Sequence, residues 1–130
     1  MNPNPLAVWH HAVKTRDPSG LGAVMADDAV FHSPVVHTPQ VGKAIMHRYL
    51  SAALGCLIDD SFRYVREVVS GRDAVLEFEV ELDGIRVNGV DMISWNDAGK
   101  ITDFKVMIRP LKAINVVHQR MGAMLQKAAG

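Results

Sequence analysis

The chain has 130 residues, of which 48% are hydrophobic, and its 14 Lys and Arg residues balance its 14 Asp and Glu residues. This size predicts one domain over residues 1–130, large enough to bury a core without disulfides or metals. Because neither charge sign collects into a long run, the sequence does not favour nucleic acid or a membrane surface as a partner. A single cysteine and the lack of an apolar run long enough to cross a bilayer predict a cytoplasmic protein.

The first half of the chain is predicted to contain helices and one strand. Apolar residues recur at helical spacing in three segments, residues 5–16, 21–25 and 43–57. Pro5 suits the first turn of the first helix, whose Trp9 we expect to face inward. A strand over residues 29–33 ends before Pro34, which has no N–H for a strand ladder, and a loop is predicted up to Gly42.

The second half is predicted to form a strand meander and a closing helix. The strands are predicted over residues 62–69, 74–82, 85–95 and 101–109, and the helix from residue 110. Leu76 and Phe78 alternate with Glu77 and Glu79, which indicates one buried and one solvent-facing side. These elements predict an α+β protein in which helices pack on one face of a curved antiparallel sheet and leave a concavity.

Asp91 is the polar residue on which the functional argument depends. It shares a strand face with Ile93, because side chains two apart in a strand point the same way. A bulge centred on Gly99 would shift the parity of the next strand by one residue. Phe104 and Val106 would then lie on the same face as Asp91, which predicts that this carboxyl is buried among apolar side chains.

A buried carboxyl has two interpretations. Apolar neighbours raise the pKa of such a group, so Asp91 would act as a general acid or hydrogen-bond donor. Alternatively, Asp91 is a structural residue whose partner is Trp9, Tyr49 or a backbone amide, since an unpaired buried carboxylate is costly.

Six histidines supply the available bases. His37 falls in the loop at the predicted mouth of the concavity and is the preferred candidate, whereas alternation with Phe31 and Ser33 favours an outward His32. A solvated or core-edge histidine is the alternative for both. His118 falls on the apolar stripe of the last helix and is predicted to be a core-edge residue. No Cys pair or His-Glu-x-x-His spacing is present, so no metal site is predicted.

Several short motifs in a fixed order resemble the nuclear transport factor 2-like superfamily. Its members include ketosteroid isomerases, limonene epoxide hydrolases and SnoaL-like polyketide cyclases. The resemblance is carried by Met25-Ala26-Asp27-Asp28-Ala29, Ser33-Pro34, the helix after Gly42, Asp91 and Ala98-Gly99-Lys100-Ile101. It implies a cone-shaped α+β fold with an apolar pocket. The fold supports catalysts, binders and transport adaptors alike, so it does not decide the function.

The resemblance to the isomerases is incomplete at the site. Asp91 matches the strand aspartic acid that those enzymes keep protonated to donate a hydrogen bond. Ser33 takes the place of the proton-shuttling aspartate, and Trp9 that of the oxyanion-hole tyrosine. Val106 stands where the cyclases and epoxide hydrolases have an aspartate. The ordinary chemistry of these relatives is therefore not implied for this chain.

These considerations predict a homodimer that binds a small hydrophobic molecule, with the outer sheet face around Met92 and Met107 as the dimer contact. The enzyme hypothesis is a cofactor-free isomerase, cyclase or dehydratase that uses Asp91, His37 and Ser33. The predicted ligand-binding residues are Trp9, Phe31, His32, Tyr49, Phe78, Ile93, Phe104 and Val106. A non-catalytic binding or protein-interaction module is the alternative.

Overall fold

The computed structural model describes residues 4–129, with side chains described up to residue 127. In chain order the elements are α1 (Pro5–Thr15), a 3₁₀ helix (Leu21–Val24), β1 (Met25–His32), β2 (Gln40–Val41), α2 (Lys43–Cys56), β3 (Arg63–Ser70), β4 (Asp73–Leu82), β5 (Ile85–Trp95), β6 (Ile101–Arg109) and α3 (Leu111–Ala129). In the part of the chain that is described, none of the helices combines the length and the apolar character needed to span a membrane.

The strands form one sheet in the order β2-β1-β6-β5-β4-β3. The α+β prediction is confirmed, but the sheet is mixed, because β1 pairs parallel to β6 while the other neighbours are antiparallel. Local alternation cannot reveal that a strand near the start of the chain adds to the last one. The two-residue β2 lies where a loop was predicted, since two residues are too few to show a period.

β1 begins at Met25, four residues before the predicted strand. Its register against β6 shifts between Met25 and Val30, and the exposed Asp27 and Asp28 lie in this irregular part. The irregularity breaks the apolar alternation, so the sequence pattern identified only the regular end of the strand.

The bulge that aligns β5 with β6 lies at Thr102. Ser94 pairs with Asp103 and Trp95 with Ile101, so Thr102 is the extra residue. The predicted parity shift therefore exists, but it is inside β6 and not at Gly99. Gly99, with φ of 74°, completes the loop by donating its N–H to the Asn96 carbonyl at 3.0 Å.

A second irregularity interrupts β3. Tyr64 pairs with Phe78 and Arg66 with Glu77, which leaves Val65 unpaired. Because of this extra residue, Tyr64 lies on the concave side of the sheet with Phe78, while Arg66 forms a 3.4 Å ion pair with Glu77 on the outer side.

The core has two parts that meet along the middle of the sheet. One part lies between the sheet and the helices α1 and α2 and contains Trp9, Leu50 and Phe104. The other lies between the sheet and α3 and contains Phe78 and Val117. Arg120 fixes α3 at this position. Its guanidinium donates to the Cys56 carbonyl at 2.9 Å and pairs with Asp83 at 2.8 Å.

Candidate functional site

A cavity of about 260 Å³ lies between the concave face of the sheet and the helices α1, α2 and α3. Most of its lining is aliphatic or aromatic. The lining residues with a polar side-chain group are Trp9, Ser33, Tyr49, Asp91 and His118. A cavity of this composition offers few hydrogen bonds, so each polar group has a large effect on what fits.

Asp91 projects from the middle of β5 into this cavity. Its strand neighbours on either side are Leu76 and Val106, and only 5% of the residue is exposed. Burial raises the pKa of the Asp91 carboxyl from 3.8 to about 7, although the hydrogen bond from Tyr64 acts in the opposite direction. Near neutral pH a substantial fraction of Asp91 is therefore the neutral acid.

A hydrogen-bond chain connects α1 to this carboxyl. Trp9 Nε1 donates to Tyr64 Oη at 2.8 Å, and the Tyr64 hydroxyl donates to Asp91 Oδ2 at 2.6 Å. Burial, followed by the neighbouring Asp91, holds the pKa of Tyr64 well above its ordinary value, so this phenol stays neutral. The partner of Asp91 is thus Tyr64, and Trp9 reaches the carboxyl only through it.

Sequence reasoning did not single out Tyr64. The sequence predicts Trp9, Tyr49 or a backbone amide as the partner of Asp91. The actual partner is the hydroxyl of Tyr64, which lies next to the irregularity at the start of β3. One signal was available: the chain has only two tyrosines, and a buried carboxyl needs a partner. The bulge at Val65, which orients Tyr64 inward, has no local signature.

Aromatic contacts hold one wall of the cavity in place. Phe31 stacks on Tyr49 with ring centroids 5.1 Å apart, and Trp9 meets Phe104 edge to face at 4.9 Å. Each ring belongs to a different element, so the wall joins α1 and α2 to β1 and β6. The Trp9 indole is thereby oriented toward Tyr64.

The structure brings most of the predicted site residues together at the cavity. Besides Asp91, the lining includes Trp9, Phe31, Ser33, Tyr49, Phe78, Phe104 and Val106. Ile93 lies in the core next to the site but does not line it.

His32 and His37 do not face the Asp91 cavity. They line a neighbouring cleft with Lys105 and Met107, which shares Ser33 and Val106 with the cavity, and His32 Nε2 lies 3.8 Å from Asp103 Oδ1. In residues 4–127, no three His, Cys, Asp or Glu side chains are grouped as metal ligands would be.

The turn after β1 explains why His37 lies elsewhere. Ser33 Oγ accepts the backbone N–H groups of Val35 at 3.1 Å and Val36 at 3.3 Å. This tight turn places Val35 and Val36 against the cavity and carries His37 past it. His37 was predicted near the cavity mouth; in the structure it lines the neighbouring cleft and not the cavity itself.

His118 is the histidine that lines the cavity. It lies one turn before Met121 and Gly122 on α3, which line the cavity with it, and its side chain is exposed at the mouth. Its place on an apolar helical stripe predicts a core-edge position. The same stripe, read as the wall of a cavity, would have predicted this arrangement.

Comparison with solved structures defines the class of protein. The chain superimposes with a TM-score of 0.90 on a steroid delta-isomerase from Pseudomonas aeruginosa, at 36% identity over 96% of this chain and 91% of that one. An uncharacterised bacterial protein with a cystatin-like fold from Silicibacter pomeroyi has a TM-score of 0.83 and 30% identity, covering 95% of this chain and 85% of that one. A nuclear transport factor 2-like protein of unknown function from Mesorhizobium loti has a TM-score of 0.70 and 19% identity, covering 81% and 88%. The fold is therefore nuclear transport factor 2-like.

The family follows from the sequence itself. A model described as the SnoaL-like domain matches residues 6–104, and the chain belongs to this family. Comparison with curated proteins gives no match.

Proposed function

We propose that the cavity binds a small hydrophobic molecule through one oxygen, with Asp91 as its polar anchor. The observation that carries this proposal is a carboxyl that is 5% exposed, has a pKa of about 7 and lies in a mostly apolar cavity. Burying a carboxyl costs folding free energy. Carboxyl groups with strongly raised pKa values therefore occur mainly where a ligand or a reaction needs them.

The dimensions of the cavity favour a compact ring system. Its volume of about 260 Å³ is just below the range of roughly 300–1,000 Å³ typical of small-molecule sites. The aromatic wall formed by Phe31, Tyr49 and Phe104 suits a flat apolar body. The similarity to a structure described as a steroid delta-isomerase also supports a ring-based ligand with a carbonyl or hydroxyl oxygen.

A thermal-shift titration with α-tetralone tests this proposal. At a hundred times its dissociation constant a ligand stabilises the protein by about 2.7 kcal/mol, which raises the midpoint by several degrees. We expect this shift for the wild type and its loss in Asp91→Leu, which removes every hydrogen-bonding atom of the side chain. Asp28→Leu, a change in an exposed carboxylate of β1, is the control and should keep the shift. Equal shifts in wild type and Asp91→Leu would refute the role of Asp91 as anchor.

Cofactor-free acid–base catalysis is a second candidate, favoured by His118 in the same cavity. Neutral Asp91 would donate a hydrogen bond to a ligand carbonyl while the imidazole takes a proton from the adjacent carbon, giving an enolate. This step is common to isomerases, cyclases and dehydratases. Ser33, whose hydroxyl oxygen accepts two backbone N–H groups, could hold a water or the far end of the ligand.

Deuterium exchange at the carbon next to the α-tetralone carbonyl, followed by proton NMR, tests this candidate. We expect exchange by the wild type to be lost in His118→Gln and retained in His37→Gln, because only His118 lines the cavity. Exchange at the uncatalysed rate in the wild type would refute the catalytic candidate and leave ligand binding as the only function proposed for the cavity.

We further propose that the protein is a cytoplasmic homodimer that associates through the outer face of the sheet. Met92 and Met107 are 37% and 49% exposed there, and Val75 and Val90 lie beside them on β4 and β5. The surrounding ion pairs, such as Arg66–Glu77, give this apolar patch a polar rim, as in many interfaces. The cytoplasmic location rests on the single free thiol of Cys56.

A further inference from the structure

We propose that the hydrophobic molecule bound in the cavity carries a carboxylate, and that Lys105 holds this group in the neighbouring cleft. The ligand is then an amphipathic acid, with a compact apolar body in the cavity and an acidic side chain that extends beyond it. This inference rests on the proposed function, because it adds an anionic end to the molecule that the cavity binds.

The cleft is basic, although the chain as a whole has no formal net charge. Its lining includes Lys105, His32 and His37, and none of the described residues that line it is an Asp or a Glu. The lysine ammonium is a cation with three N–H donors, and each imidazole ring adds at least one N–H. Such a group of donors without a carboxylate among them favours an anion.

The ammonium of Lys105 has no role in holding the fold together. In the part of the chain that the structure describes, Lys105 makes no hydrogen bond or ion pair, whereas Lys100 on the preceding loop donates to the Ala23 carbonyl. The nearby Asp103 is directed at His32, with 3.8 Å between Oδ1 and Nε2, and it does not line the cleft. Lys105 is therefore available to a ligand.

The cleft and the cavity meet along a gap in the sheet. β1 and β6 are paired up to His32 and Lys105, where β1 ends, while β6 continues to Arg109 with β5 as its strand neighbour. The residues that line both spaces lie on the two sides of this gap and are Ser33 and Pro34 of the turn and Val106 and Ile108 of β6. A short chain attached to a ligand in the cavity would pass between them into the cleft.

The sizes of the two spaces fit a ligand of this kind. The cavity of about 260 Å³ is by itself just below the usual range for a small-molecule site, and the cleft adds about 330 Å³. The mostly apolar cavity takes the ring body, whereas the cleft supplies the charge. A neutral ligand such as α-tetralone occupies the cavity alone and gains nothing from Lys105.

The composition of the cleft favours a carboxylate over a phosphate. Phosphate groups are commonly bound by arginines in bidentate geometry or by backbone N–H groups at a helix N-terminus. The described residues that line the cleft include no arginine, and they come from β1, the turn after it and β6. A single ammonium with neighbouring imidazoles matches the one negative charge of a carboxylate.

Two acidic derivatives of α-tetralone, each compared with its methyl ester, test the inference. They carry an acetic or a butyric acid chain on the saturated ring, so that two chain lengths are sampled. We expect at least one acid to bind the wild type about five- to tenfold more tightly than its ester. Lys105→Gln should reduce this ratio below about twofold, and Lys105→Glu should invert it. Lys112→Gln, a change in an exposed lysine of α3 that lines neither space, is the matched control and should keep the ratio.

Each acid-to-ester ratio is measured within one variant, so a general change in stability or association affects both members of the pair alike. Ratios near one for both acids in the wild type, or an unchanged ratio in Lys105→Gln, would overturn the inference. If α-tetralone and the esters bind while the acids gain nothing, the inference fails and the proposed function stands. If Asp91→Leu leaves binding of the acid intact while Lys105→Gln removes the preference, the anchor proposed for Asp91 fails and the anion site stands.

Proton–nitrogen NMR locates the two ends of the bound acid. We expect the acid to shift the amide signals of Tyr49 and Phe104 in the cavity wall together with those of His32 and Lys105 at the cleft, whereas its ester should shift mainly the cavity signals. Shifts confined to the cleft would mean that the carboxylate binds there without the ring body in the cavity, and would overturn the inference.

Discussion

The hydroxyl of Tyr64 donates a 2.6 Å hydrogen bond to Oδ2 of Asp91 across the concave face of the sheet. It is the one hydrogen bond that the described residues give this carboxyl. A single neutral partner stabilises a carboxylate only partly, so burial dominates and the acid form persists to about pH 7.

Acidification should stabilise the protein through Asp91. Its pKa is about 7 in the folded state and near 3.8 when unfolded, so between these pH values the folded state binds more protons. Stability from this group is therefore fully present below pH 3.8 and is lost as the pH rises through about 7. The full difference corresponds to about 4 kcal/mol. Urea unfolding of the wild type and Asp91→Asn at several pH values in this window isolates the contribution. Parallel pH profiles for the two proteins would contradict the raised pKa.

Removing the Tyr64 hydroxyl should destabilise the protein and raise the pKa of Asp91. Tyr64→Phe leaves the Trp9 N–H and the Asp91 carboxyl without their shared partner, which costs about 1–3 kcal/mol. Tyr49→Phe is the matched control, because its ring would still stack on Phe31. Chemical denaturation and carbon-13 NMR measure the two effects. A Tyr64→Phe protein as stable as Tyr49→Phe would show that the hydrogen bonds from Trp9 to Tyr64 and from Tyr64 to Asp91 contribute nothing to the free energy of unfolding.

A methyl group at position 89 should close part of the cavity. A Cβ on Gly89 would lie 2.8 Å from Cε2 of Phe78 and 2.9 Å from the Met107 carbonyl oxygen. The backbone of β6 cannot move away easily, so Gly89→Ala should push the Phe78 ring into the cavity that it lines. We expect a loss of about 1–3 kcal/mol and weaker α-tetralone binding.

The double variant Gly89→Ala with Phe78→Leu should recover part of the lost stability and part of the lost α-tetralone binding, because the smaller side chain leaves room for the new methyl group. A double variant no better than Gly89→Ala would mean that the clash with the β6 backbone, and not the ring of Phe78, is decisive.

A charge on the outer face should dissociate the proposed dimer. Met92→Glu places a carboxylate within the apolar patch of the proposed interface, where it would be desolvated in the dimer. Size-exclusion chromatography with light scattering should give a dimer for the wild type and a monomer for the variant. Val41→Glu, at an exposed position in β2, should remain a dimer. A monomeric wild type would contradict the proposal and leave this face free for another protein.

Local patterns were sufficient to locate most of the fold. Period and turn residues placed α1, α2 and β3 to β6 within one residue of their observed bounds. They also predicted that Asp91 would be buried, because the strand alternation is regular around it. These features depend on neighbours along the chain, which the sequence displays directly.

The site itself depends on contacts between distant segments. Tyr64 reaches Asp91 because of the bulge at Val65, and His118 reaches the cavity because Arg120 holds α3 over it. The turn at Ser33, after which His37 follows in the neighbouring cleft, is likewise not visible as a period in the sequence. Such features are set by tertiary packing, which leaves no periodic trace in the sequence.

The two outermost strands also determine how copies of this chain can meet. β2 offers a neighbouring strand only Gln40 and Val41, and β3 is bent by the extra Val65 and carries charged Arg63 and Arg66. Neither border presents a long, straight row of unpaired backbone groups, so strand-by-strand growth into swapped or amyloid-like assemblies is disfavoured. If copies of this chain associate as proposed, the broad face of the sheet is the surface left for them, and a two-fold pair formed through it is closed.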